Sequence, residues 1–167
     1  MKPEHQDLLA RYQGIPERLE ASVAGLAEAD LDWDAGTGWS IRSYIHHTVE
    51  GNLLWQICLR SLLGRDGAEI PLGWYFEHEQ DEWGRLWQYA SRPVEPTLAL
   101  FHASTRSLAE LVSRLPDEAW EHTGRITFPG SDKESIFRVS DILAGHIRHV
   151  DGHVEDIRAI RELHGRS

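Results

Sequence analysis

Apolar residues recur at intervals of three and four positions in four stretches of the chain, which is the spacing of one face of an α-helix. In the first stretch, Gly14 and Pro16 interrupt the pattern and are expected to kink or split the helix. The pattern predicts four helices, with the approximate limits Pro3 to Leu26, Ser40 to Leu63, Glu95 to Leu115 and Ser140 to His164.

Residues that begin and end helices stand at several of these limits. Ser40 and Ser140 are expected N-caps, because a serine hydroxyl accepts a hydrogen bond from a backbone N–H group of the first turn. Asp141 places a negative charge in the first turn of the fourth helix, where the helix dipole favours it. Gly64 follows the last periodic residue of the second helix, and Pro116 follows the third, so both are predicted to end their helices.

The connection from Gly64 to Val94, between the second and third helices, is long enough to pass along a whole helix, since about 20 helical residues measure about 30 Å. We therefore expect an all-α fold, formed by residues 1–167 as one domain, in which a crossover lets the third helix run parallel to the second. Strand-like fragments between Gly124 and Phe137 predict a short hairpin. The aromatic residues of the crossover either wall a ligand pocket or only cover the core: Trp74, Tyr75, Phe76, Trp83, Trp87 and Tyr89.

The charge of the chain argues against a nucleic-acid partner. Asp and Glu outnumber Lys and Arg by 27 to 17, the formal net charge is −10, and the cations are scattered rather than clustered. No apolar run approaches the ~18 residues of a membrane span, and the first residues lack a signal-peptide pattern. We therefore expect a cytoplasmic protein without a membrane partner. Its single cysteine, Cys58, cannot form an internal disulfide.

Two histidines of the fourth helix have the spacing of a metal site. His149 and His153 are four residues apart, so their Cβ atoms lie about 5–6 Å apart on one helix face and both imidazoles can reach one ion. The same arc carries Ile142 and Gly145, which indicates a face turned towards the core. The alternative is that the pair arises by chance among ten histidines and that each is a hydrogen-bonded core residue.

A third ligand has to come from another helix, and His47 is the best candidate. It shares a face of the second helix with Tyr44, Gly51 and Cys58, which is a core-facing set. Its neighbour His46 is turned about 100° away and is expected to face elsewhere.

The segment from Gly38 to Glu50 resembles a signature of the DinB/YfiT-like superfamily. In that family a Trp-Ser-Ile-Arg helix start is followed, eight residues after the tryptophan, by a ligand histidine and then by an acidic residue. Trp39, His47 and Glu50 have this spacing here. The run His149-xxx-His153 followed by Ile157 resembles the second signature of the family.

This resemblance implies an up-down-down-up four-helix bundle with zinc or nickel bound by His47, His149 and His153 at one end, and frequently a homodimer. Many members are described only provisionally as metal-dependent hydrolases, while others are thiol-dependent transferases or isomerases. Val150 and Gly152 stand where relatives often carry further histidines, so no subgroup is assigned.

Three imidazoles with one open position are typical of a catalytic rather than a structural metal. Such a metal would activate water or the thiolate of a small-molecule substrate, including a low-molecular-weight thiol. Glu50, one turn from His47, is expected to orient that imidazole, to act as a general base or to be an ordinary salt-bridged acid. Asp156 is a candidate to orient His153. A non-catalytic metal- or ligand-binding dimeric bundle is the alternative function.

Overall fold

The periodic stretches fold into helices in the computed structural model, which describes residues 1–70, 72–128, 130 and 134–166. None of the helices within these ranges is long and apolar enough to cross a membrane. The α-helices are α1 (Pro3–Gln13), α2 (Ile15–Ser22), α3 (Ile41–Gly64), α4 (Gln80–Leu86), α5 (Val94–Ser113) and α6 (Val139–Leu163). The strands are β1 (Ala68–Glu69), β2 (Thr123–Thr127) and β3 (Glu134–Arg138).

The predicted four-helix bundle is confirmed. One corner is formed by α1 and α2 together, and the other three by α3, α5 and α6. Both α3 and the α1–α2 pair pack against α5 and α6, so α5 and α6 lie on opposite sides of the bundle. The core between them is formed by fully buried apolar side chains from every corner, among them Tyr12, Leu19, Ile45, Leu59, Phe101 and Ile147.

Two of the predicted helix limits need correction. The first helix is split at Gly14, as expected, but α2 ends at Ser22 instead of Leu26, and Gly25 has a φ of +78° that a helix does not accommodate. α6 begins at Val139, so Ser140 lies inside the helix and is not its N-cap. Its first turn is closed instead by Asp141, whose carboxylate accepts a 2.8 Å bond from the N–H group of Arg138. Ser40 caps α3 as predicted, since its hydroxyl accepts from the Ser43 N–H group.

Side-chain bonds between α3 and α5 indicate how these two helices run. His46, early in α3, bonds Thr97, early in α5, and Gln56, further along α3, donates to Ser104, further along α5. Two helices that pair early with early and late with late run in the same direction. These pairs support the up-down-down-up order, which stays a prediction.

The crossover between α3 and α5 is structured rather than a free linker. It contains β1, α4 and two short 3₁₀ segments, Gly73–Glu77 and Tyr89–Ser91. Tyr75, Trp83 and Tyr89 are buried in it. The aromatic segment therefore packs on the bundle, as its composition predicted.

A small sheet lies beside the bundle. β2 and β3 pair antiparallel with Thr123 opposite Arg138, which confirms the predicted hairpin strands, while residues 129 and 131–133 between them lie outside the described residues. β1 pairs in parallel with β2. A strand of only two residues gives no recognisable sequence pattern, so this contact could not be predicted.

Gly124 in β2 gives a stability prediction. A Cβ atom at this position would lie 2.8 Å from Cγ of Leu62 and 3.1 Å from Cγ1 of Ile70, which is closer than packed atoms tolerate. We expect Gly124→Ala to lower the free energy of unfolding by about 1–3 kcal/mol, because the core must shift to admit the methyl group. Urea denaturation measures this, with Gly64→Ala as the control, since a Cβ atom there meets nothing within 4 Å. Equal stability of the two variants would contradict the packing argument.

Candidate metal centre

Three histidine side chains converge where α3 faces α6. Nε2 of His149 lies 3.1 Å from Nε2 of His47 and 3.1 Å from Nε2 of His153. A potential ligand atom of each residue lies within 4.8 Å of those of the other two. Within the described ranges, this is the group of histidine, cysteine and acidic residues that could hold an ion. The structure thus brings together the three residues that the sequence pattern selected.

The geometry and the chemistry of these nitrogens fit a divalent transition metal. Three nitrogens that each lie ~2.0–2.1 Å from one tetrahedral ion are about 3.3 Å apart, close to the two separations of 3.1 Å found here. Burial, and then the neighbouring histidines, lower the pKa of His47 to about 3 and that of His149 to about 4. Both imidazoles are therefore neutral at pH 7, which is the form that binds metal.

Gly51 makes room for the ring of His149. A Cβ atom on Gly51 would stand 3.0 Å from Cε1 of His149, so any side chain at this α3 position would press on the ring. The glycine inside a long helix, which costs about 1 kcal/mol relative to alanine, has its physical reason in this close approach.

Other side chains hold two of the rings in place. Nδ1 of His153 lies 2.9 Å from a carboxylate oxygen of Asp156, one turn further along α6, as anticipated. The edge of His47 packs against Trp39 with ring centroids 5.1 Å apart, and Tyr44 packs against His153 at 5.2 Å. Nδ1 of His47 is buried without a hydrogen-bond partner among the described residues.

Asp156 gives a prediction about metal affinity. A carboxylate bonded to Nδ1 fixes the tautomer that exposes Nε2 and makes the ligand more basic. We expect Asp156→Asn to weaken metal affinity about 10- to 100-fold with little change in stability. Competition with a chromophoric chelator measures it. The control is Glu155→Gln on the same helix, whose partner is Arg158, and equal affinities of the two variants would refute an orienting role.

Glu50 forms an ion pair with Arg92. Its carboxylate accepts a 2.9 Å bond from Arg92 and makes none with His47, so in this structure it does not orient that imidazole. The salt-bridged alternative is the arrangement observed. A general-base role for Glu50 stays a prediction.

Two residues near the site, Arg92 and His46, have contacts that the sequence did not predict. Arg92 was not singled out, because its pairing with Glu50 joins residues far apart in the chain. His46 does face elsewhere, as expected, but it is fully buried and bonds the carbonyl oxygen of Arg92 and the side chain of Thr97.

A cleft of about 290 Å³ opens beside the three histidines. Of the three histidines, His47 and His149 line the cleft, and His146, one turn before His149 and therefore detectable by helical spacing, lines it as well. The remaining described lining residues come from the two helices and the crossover: Gly51, Trp55, Tyr75, Gln80 and Gly145.

The crossover aromatics divide into one that lines the cleft and others that support it. Tyr75 lines the cleft, and its hydroxyl donates a 2.7 Å bond to Gln80. Trp83 stacks on the ring of Tyr75 at 5.5 Å and donates its indole N–H to the backbone oxygen of the same residue at 2.8 Å. The two alternatives predicted for this segment, pocket wall and core cover, therefore coexist in different residues.

His146 predicts acid sensitivity. Burial, and then the neighbouring His149, lower the pKa of His146 to about 3. The unfolded chain therefore takes up this proton near pH 6.5 while the folded chain does not, so stability is complete above about pH 6.5 and is lost as pH falls towards 3. We expect His146→Leu to reduce the slope of unfolding free energy against pH by up to about 1.4 kcal/mol per pH unit in that window. Urea unfolding of the metal-free protein at several pH values measures this, and an unchanged slope would contradict it.

Comparison with known proteins adds an independent observation. The sequence model described as the DinB superfamily matches residues 11–157. A protein of Oceanobacillus iheyensis, provisionally named a metal-dependent hydrolase, is 25% identical over 146 residues, which cover 87% of this chain and 80% of that protein.

Two solved structures share the fold. One is that of YfiT from Bacillus subtilis, which is provisionally described as a metal-dependent hydrolase with an unusual four-helix bundle topology. The match has a TM-score of 0.84 and 18% identity, and it covers 100% of this chain and 91% of that one. The other, a mycothiol-dependent maleylpyruvate isomerase, has a TM-score of 0.68 and 14% identity over 92% of this chain. The present chain spans 60% of that isomerase.

Proposed function

Because this chain belongs to the DinB superfamily, we propose that it is a metal-dependent enzyme, a hydrolase or a thiol S-transferase, that binds one divalent transition metal through three histidines. The observation that supports this most directly is the convergence of Nε2 atoms from His47, His149 and His153. Zinc or nickel is the proposed metal, since both accept imidazole nitrogen.

With three histidine nitrogens as ligands, the metal would supply the chemistry and the side chains around it would position the ligands. A metal held by three neutral imidazoles, with a position left for substrate, acts as a Lewis acid and activates water or a thiol. The chain's own side chains would orient the ligands, as Asp156 does for His153, and Trp39 would shield His47 from water. Glu50 is proposed as a general base only if its bond to Arg92 opens.

A non-catalytic metal- or ligand-binding dimeric bundle is the second candidate. The cleft beside the histidines favours the enzyme, because a purely structural metal site is closed by its fourth ligand. The named relatives give the two enzyme classes: hydrolase for the protein of Oceanobacillus iheyensis, and a mycothiol-dependent reaction for the isomerase of like fold.

The test begins with protein purified without an affinity tag. We expect elemental analysis to find about one zinc or nickel ion per chain. Cobalt-substituted protein should then change its visible spectrum when a small thiol or azide is added, because an open position admits the added ligand. Metal content near zero would refute the site, and a spectrum that no added ligand changes would favour the non-catalytic candidate.

Hydrolase and thiol transferase differ in their co-substrate. Ester hydrolysis that needs no thiol would support the first, and turnover of an electrophile only with a low-molecular-weight thiol would support the second. The homodimer, the cytoplasmic location and the single domain over residues 1–167 remain predictions from the sequence, and light scattering tests the first of them.

A further inference from the structure

Two glycines and two large aromatic residues are among the residues that line the cleft next to the histidines. Gly51 on α3 and Gly145 on α6 contribute no side chain. Trp55 and Tyr75 contribute aromatic rings, and Trp55 is itself held by Phe137 at a ring distance of 5.4 Å. A space lined by glycine backbone and by aromatic rings suits a flat apolar group.

The same walls carry no formal charge. None of the described residues that line the cleft is a lysine, arginine, aspartate or glutamate. Glu50 and Arg92 neutralise each other in an ion pair, with 2.9 Å between the guanidinium nitrogen and the carboxylate oxygen. Apart from the metal itself and the exposed end of Arg148, which lies 3.9 Å from an ideal Cβ atom on Gly145, a carboxylate or phosphate in the cleft would meet no cation, so its desolvation would be compensated only in part.

The volume sets the size of the occupant. The cleft measures about 290 Å³, and an engineered apolar cavity of ~150 Å³ holds a benzene molecule. There is room for one ring and a short linking group that reaches the histidines. The bond from the Tyr75 hydroxyl engages the oxygen of the Gln80 side chain, so the amide N–H groups of Gln80 can donate to one polar substituent of a bound ring.

We infer that this cleft binds an uncharged, flat, apolar group of the size of a benzene ring, carried by a substrate whose reacting atom lies at His47, His149 and His153. The inference rests on the proposed function, because the three histidines must hold a metal for the substrate to be anchored there. It extends that function by naming the substrate class.

Three hydroxamic acids with the same metal-binding group test the inference on zinc- or cobalt-loaded protein. Acetohydroxamate carries a methyl group, benzohydroxamate a ring, and 4-carboxybenzohydroxamate a ring with a charge. We expect benzohydroxamate to bind about tenfold more tightly than acetohydroxamate or better, since even one methylene in an apolar pocket changes affinity by about that factor. The carboxylate is expected to remove this advantage.

A pair of glycine variants on one helix locates the effect. A Cβ atom on Gly145 meets only the end of the Arg148 side chain at 3.9 Å, so Gly145→Leu can place its side chain in the cleft without a clash at its root. A Cβ atom on the exposed Gly152 meets nothing within 4 Å, which makes Gly152→Leu the matched control. We expect Gly145→Leu to abolish the preference for the ring while acetohydroxamate affinity and metal content stay unchanged, and Gly152→Leu to leave all three unchanged.

The outcomes separate this inference from the proposed function. Metal bound, acetohydroxamate bound and no preference for the ring would overturn the inference alone. A preference that survives Gly145→Leu would also overturn it, because the ring would then lie outside the cleft. A wild-type protein that binds no metal would overturn both proposals.

Discussion

His149→Ala is expected to remove stoichiometric metal binding. Nε2 of His149 lies 3.1 Å from Nε2 of His47 and 3.1 Å from Nε2 of His153. Without it, only two imidazoles remain to bind the ion. Because even an outer carboxylate affects metal affinity about 10- to 100-fold, loss of a direct ligand should weaken it by more than about 100-fold. Helix content should stay the same, since alanine is the best helix former.

The measurement is elemental analysis after dialysis, combined with calorimetric titration of zinc into metal-free protein. His102→Ala is the matched control, because His102 lies on α5 and pairs with Glu20 away from the cluster. The same metal content in both variants would show that the three histidines are a hydrogen-bonded core cluster and not a metal site.

Trp83→Ala is expected to cost about 3–5 kcal/mol of stability, the usual range for removing a buried tryptophan side chain. Trp83 is 7% exposed and contacts Trp87 at a ring distance of 4.6 Å as well as Tyr75. Its removal leaves a large cavity between the crossover and the bundle. It also removes the donor that fixes the backbone oxygen of Tyr75, so the cleft wall should loosen.

Thermal unfolding measures the loss, which should lower the melting temperature by roughly 6–20 °C for a chain of this size. Trp74→Ala is the comparison, since Trp74 lies in the same segment but is 46% exposed, and it should cost much less. Metal content should be unchanged in both. A Trp83→Ala protein of normal stability that loses only ligand affinity would mean that Trp83, and not Tyr75, contacts the ligand.

Local signals were sufficient where the structure follows from residues close in the chain. The spacing of apolar residues predicted all four bundle helices, and Ser40 marked the beginning of α3. Four-residue spacing on α6 and a face argument on α3 selected His149, His153 and His47 and rejected His46. The convergence of these three side chains could be predicted because helical geometry fixes which side chains share a face; their role as ligands stays a prediction.

Contacts between distant segments could not be predicted in this way. The pairing of Glu50 with Arg92 depends on how the crossover returns to α3, and the parallel contact of β1 with β2 depends on packing beside the bundle. The beginning of α6 was misplaced because Ser140 is a good cap in isolation, while the preceding strand β3 carries the chain directly into the helix at Val139. Helical spacing made His47 only the best candidate for a third ligand, and the family resemblance implied that it binds the metal.

The order of the three proposed ligands along the chain has a consequence for synthesis in the cell. His47 and His149 are separated by 102 residues, and His149 and His153 belong to the last helix. At about 5–20 residues per second, a ribosome needs roughly 5–20 seconds to pass from the first ligand to the second. A nascent chain with a lone His47 has no chelating partner, so the metal is expected to enter only after α6 has emerged and docked.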